Sequence, residues 1–362
     1  MNLFEFLYYL GFSIKKRYSL RNLKRLPHKV ISIGNITVGG TGKTPATIAV
    51  AGEAKRRGFY PVILTRGYKG GVKGPCFVTT GERPLLTVDK AGDEPFLMAE
   101  KLKEIPIVKG INRYDAGMFA IRELLIPSSL SADPLPLPTL PTGRPAGQAG
   151  LTPNPLLFIL DDGFQQWGLY RDMDIVLIDY HNPFSNGKLL PFGRLREPLG
   201  SLGRADVIVI TKSERTKDIP RGEKEDLIKE IKQYNAKSPI FFAEHKPVSI
   251  KLLSSEEKPL SWASGKKFFG FCALASPESF KKTVRSTGAE LVGFKRFRDH
   301  YRYRSEDLVR IKHEAEKTGA EWIVTTEKDI IKTRDIDLPE NILIIEIEFS
   351  VEEEFFGKVF GF

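Results

Sequence analysis

The sequence predicts an α/β protein with a mostly parallel sheet covered by helices on both faces, followed by a smaller α/β C-terminal domain. Two observations carry this. Short, continuous, β-branched apolar runs recur and alternate with helical stretches, as buried parallel strands do. A glycine-rich turn ending in Gly42-Lys43-Thr44 follows the first such run, and a later run delivers Asp161-Asp162 at its carboxyl end.

In the N-terminal segment, residues 1–25, Leu3, Phe6, Leu7, Leu10 and Ile14 recur at helical spacing, and Phe4, Tyr8, Tyr9 and Phe12 widen the apolar face. No acidic residue lies between Glu5 and Glu53, whereas Lys15, Lys16, Arg17, Arg21, Lys24, Arg25, Lys29 and Lys43 do. Such a helix either lies in a lipid interface, its basic tail drawn to anionic headgroups, or docks on the protein's own core. The apolar run is too short to span a bilayer.

Residues 26–250 are expected to form the first domain, with strands at 30–33, 61–64, 105–108, 156–160, 175–178, 207–210 and 240–242. Residues 127–155 hold eight prolines and form an inserted segment, since ordinary αβ connections are a few residues long. Residues 251–362 are expected to form the second domain, with strands at 268–274, 322–324 and 342–347 and an apolar run at 291–297. The 362 residues suit two such domains, and the net charge of +10 favours polyanionic partners. No nucleic-acid recognition module is present, so nucleic acid is not expected among them. Cys76 and Cys272 match no zinc or redox spacing and are expected to be reduced, structural thiols.

The motifs carry the chemistry. Residues 30–44 read V-I-S-I-G-N-I-T-V-G-G-T-G-K-T, a strand entering a glycine loop that opens a helix. In a P-loop of this kind the backbone amides of Thr37, Val38, Gly39, Gly40, Thr41, Gly42, Lys43 and Thr44 would cradle phosphate oxygens. Lys43 would reach the β and γ phosphates of a bound nucleotide, and the Thr44 hydroxyl would hold Mg²⁺. The strict pattern places glycine where Thr37 stands. Asp161 and Asp162 are the expected metal-side carboxylates at a neighbouring strand end. Gly92-Asp93-Glu94-Pro95 either caps a helix or offers a catalytic base and a metal ligand. His300, in Arg298-Asp299-His300-Tyr301, is either structural or part of a general base. Arg171, Arg194 and Arg196 are candidates for gripping phosphates. Thr211-Lys212-Ser213-Glu214 resembles a degenerate base-reading motif of GTPases. A GTPase or metallochaperone-type NTPase acting on a protein partner is therefore the alternative, although Val38 stands where many such proteins carry a second lysine.

In ordered succession G-N-I-T-V-G-G-T-G-K-T-P (34–45), T-R-G-Y (65–68), G-D-E-P (92–95), D-D-G-F-Q (161–165) and R-D-x-D-I-V (171–176) resemble the tetraacyldisaccharide 4'-kinase family, the lipid A 4'-kinases. L-L-P-F-G-R-L-R-E-P (189–198), F-R-D-H-Y (297–301) and T-T-E-K-D (325–329) extend the resemblance over nearly the whole chain. It implies a peripheral enzyme on the cytoplasmic face of the bacterial inner membrane; separately, a monomer is expected. That enzyme would move the γ-phosphoryl group of ATP, with Mg²⁺, to the 4'-hydroxyl of a lipid A disaccharide precursor. The resemblance further implies an Asp–His dyad at Asp93 and His300, with Thr44, Glu94, Asp161 and Asp162 serving magnesium. The family pattern has histidine where Gln166 follows D-D-G-F-Q, so no role for that histidine carries over.

Overall fold

The computed structural model describes residues 3–67, 74–125, 154–213 and 221–361. Tyr68, Glu214 and nearly all of the proline-rich insertion lie outside the described residues. The chain forms two compact units, one of residues 1–244 and 351–362 and one of residues 245–350.

The first unit begins with α1 (Leu3–Arg21), β1 (Lys29–Gly34), α2 (Lys43–Arg56), β2 (Tyr60–Thr65), β3 (Cys76–Thr79), α3 (Val88–Ala91) and α4 (Asp93–Lys101). It continues with β4 (Ile107–Lys109), α5 (Arg113–Leu125), β5 (Leu156–Asp161), β6 (Met173–Asp179), β7 (Val207–Thr211), α6 (Arg221–Tyr234) and the start of β8 (Ile240–Leu252). Its strand order is β8-β7-β6-β1-β5-β2-β4-β3, parallel throughout except for β3 at the edge. Strand alternation explains the double cover. Val62, Leu64, Phe158 and Leu160 pack with Ala116, Ala120 and Leu124 of α5. Ile63 and Ile159, equally buried, point to the opposite face, where α2 packs on β2 and β5. Burying each such side chain contributes about 1.5–3 kcal/mol.

The sequence expectation for 351–362 is corrected by this structure. These residues form α10 (Glu353–Phe360) and belong to the first unit. The helix is amphipathic and buries Phe355, Val359 and Phe360, with the Phe355 ring 5.7 Å from Phe241 and the Phe360 ring 5.8 Å from Phe59. Pro106, which has no N–H to give the ladder, delays β4 to Ile107.

The N-terminal helix is docked and apolar outside at once. Tyr8 packs on the core of the first unit, and the Phe12 ring meets Trp167 edge-on at 5.1 Å. The other side leaves Leu3 (67% exposed), Phe6, Leu7, Leu10 and Ile14 (61%) in solvent. Among the described residues no helix is long and apolar enough to cross a membrane.

The second unit contains the rest of β8, then β9 (Glu257–Lys258), β10 (Lys267–Cys272), α7 (Pro277–Ser286), β11 (Glu290–Arg296), α8 (Ser305–Lys317), β12 (Trp322–Thr326), α9 (Glu327–Ile330) and β13 (Ile342–Val351). Strands β11-β10-β12-β13 are parallel. Phe268 and Cys272 face α7 through Phe280 and Val284, whereas Phe269 and Phe271 face α8 through Leu308 and Ile311.

Candidate active site

Every parallel strand of the first unit presents its carboxyl end on one edge, and the polar motifs gather there. β1 ends at Gly34. A Cβ at that position would meet the Phe164 amide nitrogen at 2.7 Å, so only glycine lets the strand end touch the turn after β5. Gly163 donates its N–H to the Ile33 carbonyl across the same contact at 3.0 Å.

The glycine loop is held on three sides. Asn35 is buried and donates to the Thr41 hydroxyl at 2.9 Å. Thr37 bridges antiparallel to Leu195, flanked by Val38 N–H to the Arg194 carbonyl and Arg196 N–H to the Ile36 carbonyl, each 2.7 Å. Thr37 is absent from the positive-φ residues, so glycine is not required where the strict pattern has it. The Thr211 hydroxyl donates to the Thr41 carbonyl at 2.9 Å. Gly42, at φ 81°, then turns the chain into α2, whose N-terminus has no side-chain cap and no acidic residue in its first turn. That leaves a row of N–H groups and the positive helix end for an anion.

Strand order places the carboxylates. β5 lies beside β1, with Asp161 in register with Ile33. Asp161 is buried and accepts from the Thr65 hydroxyl at 3.0 Å and the Thr47 hydroxyl at 3.5 Å. Burial, reinforced by Asp162, raises its pKa to about 6. Asp162, in left-handed backbone at φ 52°, accepts from Arg196 with both oxygens at 2.8 Å and lies 3.6 Å from the Lys43 ammonium. Burial pushes the Asp162 carboxyl up, but Lys43 and Arg196 together outweigh it and hold the group low. Burial lowers the Lys43 pKa against the opposing pull of Asp162, Asp161 and Glu94. Arg113 was not singled out by sequence. It is buried, donates to the Gly110 carbonyl and, at 3.4 Å, to the Asp161 carbonyl, and burial lowers it to about 10.

Asp93 and Glu94 form the first turn of α4, behind an N-cap Gly92 that makes no side-chain capping bond. The helix packs on α2, and Glu94 is close enough to influence both Lys43 and Asp161. His300 belongs to the second unit. It follows β11 at φ 59°, and its Nε2 is 4.0 Å from Asp299, whose other oxygen is 3.5 Å from the Lys328 ammonium.

One arginine expectation changes. Arg171 sits at the amino ends of the strands, just before β6, away from the P-loop edge. Its Nε donates to Asp174 at 2.8 Å and its Nη1 to the carbonyls of Gln166 and Leu169, so it is a brace and not a phosphate grip. Arg194 lies along the loop, its Nε donating to the Val38 carbonyl at 3.1 Å. Lys212 of the degenerate motif is buried in an ion pair with Asp179.

The residues fit a magnesium–triphosphate group. Lys43, Arg113 and Arg196 stand beside Asp161, Asp162 and Glu94, so cations for phosphate oxygens and carboxylates for a metal are present together. Among the described residues no group of three or more His, Cys, Asp or Glu side chains could hold a metal ion by itself. A magnesium ion that takes one or two carboxylates, a hydroxyl and phosphate oxygens matches that arrangement.

The comparisons agree with one another. A family model described as tetraacyldisaccharide-1-P 4'-kinase matches residues 1–360. The tetraacyldisaccharide 4'-kinase of Syntrophus aciditrophicus is 36% identical over 366 residues, covering 98% of this chain and 90% of that protein. That of Halothermothrix orenii is 35% identical, covering 90% and 80%. A crystal structure of LpxK from Aquifex aeolicus in complex with ATP superposes with a TM-score of 0.70 at 28% identity, covering 98% of this chain and 95% of that one.

Proposed function

The chain belongs to the tetraacyldisaccharide 4'-kinase family, and from that premise we propose how its residues carry the reaction. The enzyme is an ATP- and Mg²⁺-dependent kinase of lipid A biosynthesis, moving a phosphoryl group to the 4'-hydroxyl of a tetraacylated disaccharide 1-phosphate. The observation that carries the residue assignment is the partly buried Lys43 ammonium 3.6 Å from Asp162, at the uncapped N-terminus of α2. The alternative of a GTPase-type NTPase acting on a protein partner falls with the family match.

The backbone amides of Thr37 to Thr44 hold the phosphate tail of ATP, and Lys43 neutralises charge on the outer phosphates. In a dry site such preorganised charge is worth far more than in water. Thr44, Asp162, Asp161 and Glu94 are the residues that would hold Mg²⁺. When bound, the metal neutralises phosphate charge. Asp93 accepts the proton of the sugar hydroxyl as general base. His300, with Asp299 and Lys328 beside it, is the second catalytic group that the family pattern implies.

The membrane-facing part of the proposal rests on α1. Its exposed Leu3, Phe6, Leu7, Leu10 and Ile14 enter the lipid interface, and Lys15, Arg17 and Arg21 follow to meet anionic headgroups. On this reading the enzyme is peripheral, on the cytoplasmic face of the inner membrane where its acceptor lies.

The test is turnover of Mg·ATP and of Mg·GTP with and without a lipid A disaccharide precursor, with the product weighed by mass spectrometry. Acceptor-dependent ATP consumption and a product one phosphoryl group heavier are expected. Nucleotide hydrolysis indifferent to the acceptor would overturn the reading.

A further inference from the structure

The Lys43–Asp162 pair is the end of a longer chain of bonds. Arg196 Nη1, which donates to both Asp162 oxygens, also donates to Gln165 Oε1 at 3.3 Å. Gln165 Nε2 donates in turn to the Asn35 carbonyl at 2.9 Å and to Glu197 Oε1 at 2.8 Å. Glu197 is 0% exposed and accepts from Arg204 through Nη1 at 2.9 Å and Nη2 at 3.1 Å. The two motifs D-D-G-F-Q and L-R-E-P are thus locked together behind the glycine loop.

The main chain of Arg196 makes two further bonds. Its N–H is tied to Ile36 at the mouth of the loop, and its carbonyl accepts from the Tyr8 hydroxyl of α1 at 3.0 Å. Arg196 therefore touches the glycine loop, the carboxylate beside Lys43 and the N-terminal helix at once. Burial raises the Tyr8 pKa, so its hydroxyl stays a donor.

We propose that Arg196 is a positioning residue that fixes Asp162 against Lys43, and that the Tyr8 hydroxyl couples the seating of α1 to that pair. This rests on the reading of Lys43 and Asp162 as part of the nucleotide-phosphate site. A helix that only tethered the enzyme to lipid would need no bond from its inner face to this residue. The coupling means that disturbing the inner face of α1 alters nucleotide handling even when the acceptor is dispersed in micelles.

The experiment uses the full chain in detergent. Binding of a non-hydrolysable Mg·ATP analogue is measured by calorimetry, with KM for ATP and for micellar acceptor measured alongside. The variants are Tyr8→Phe, Arg196→Lys, Lys43→Ala and, as a control, Tyr18→Phe on the exposed side of the same helix. Losing one net hydrogen bond predicts analogue binding about 3- to 10-fold weaker for Tyr8→Phe, with KM for ATP raised and KM for acceptor unchanged. Losing the guanidinium's simultaneous hold on Asp162 and Gln165, with the charge kept, predicts about 3- to 10-fold for Arg196→Lys. Tyr18→Phe should stay within about twofold, since an exposed hydroxyl exchanges one water partner for another.

If Tyr8→Phe lowers the melting temperature but leaves analogue binding and KM for ATP unchanged, the bond is structural and the proposal is wrong. Should Arg196→Lys fail to fold, Tyr8→Phe alone decides. If Lys43→Ala weakens binding while both other variants bind normally, the proposal fails and the nucleotide site stands. If Lys43→Ala also binds normally, the nucleotide-site reading fails and the proposal falls with it.

Discussion

Replacing Asp161 by Asn keeps the shape of a buried side chain and removes its titration. In the nucleotide- and metal-free protein, burial and the adjacent Asp162 raise Asp161 from 3.8 to about 6. The folded value lies above the unfolded one, so the native state holds this proton more tightly than the unfolded chain. Its contribution to stability is fully present below the unfolded pKa and is lost as pH rises through the folded pKa. The difference, 6 minus 3.8, is about 2.2 units, equivalent to a stability change on the order of 3 kcal/mol. The assay is urea unfolding of wild type and Asp161→Asn at pH values from 4 to 8 in the presence of a chelator. Titrating groups beyond those that feel the Asp161 charge directly, Asp162, Lys43, Glu94 and Arg113, are common to both proteins and cancel in the difference. Wild type should lose stability relative to Asp161→Asn across pH 4 to 6 and then run parallel to it. Curves that stay parallel throughout would show that Asp161 titrates as an ordinary carboxyl, and the argument for a dry pocket at the end of β5 would fail.

Three further outcomes are expected. Lys43→Ala should lower kcat by about 10²–10³ with the fold intact, as judged by circular dichroism, because the lysine stabilises charge on the transferring group. Asp93→Ala and His300→Ala should each lower kcat by about 10²–10⁴ with little change in KM for ATP; unaltered turnover removes either from the mechanism. Leu7→Ser and Leu10→Ser together should weaken partitioning onto anionic vesicles by at least about tenfold, since each exposed leucine contributes about 1.5–3 kcal/mol on burial in lipid; unchanged sedimentation with vesicles would mean that this face does not enter the membrane.

Much of the fold was legible because the central strands are buried on both faces. Continuous runs such as Val30 to Ile33 and Leu156 to Leu160 announce themselves without any partner. What sequence reading missed lacks that signature. β3 is a short antiparallel edge with a register shift against β4. β8 continues well past Phe242 through residues such as Glu244, Lys246 and Lys251, where burial alternates and no continuous apolar run marks it. α10 reads as amphipathic, but nothing local says that it returns to the first unit. The site divides in the same way. Lys43, Thr44, Asp161 and Asp162 lie in motifs whose chemistry is local to a loop or a strand end. Arg113, Gln165 and Glu197 act through partners 48 and 32 positions away, and only the topology brings them together. Arg171 misled for the converse reason. Its charge suggested phosphate, but its partner Asp174 is three residues on and holds it at the wrong end of the sheet.

The central claim is that the loop from Thr37 to Thr44 receives a triphosphate beside Lys43 and the Asp161–Asp162 pair. A crystal structure of this enzyme with Mg²⁺ and a non-hydrolysable ATP analogue tests it directly. Phosphate oxygens are expected on the loop amides and the Lys43 ammonium, with the metal in contact with the Thr44 hydroxyl and at least one of the two aspartates. An analogue bound elsewhere with this loop empty, or a metal on none of these residues, would contradict it.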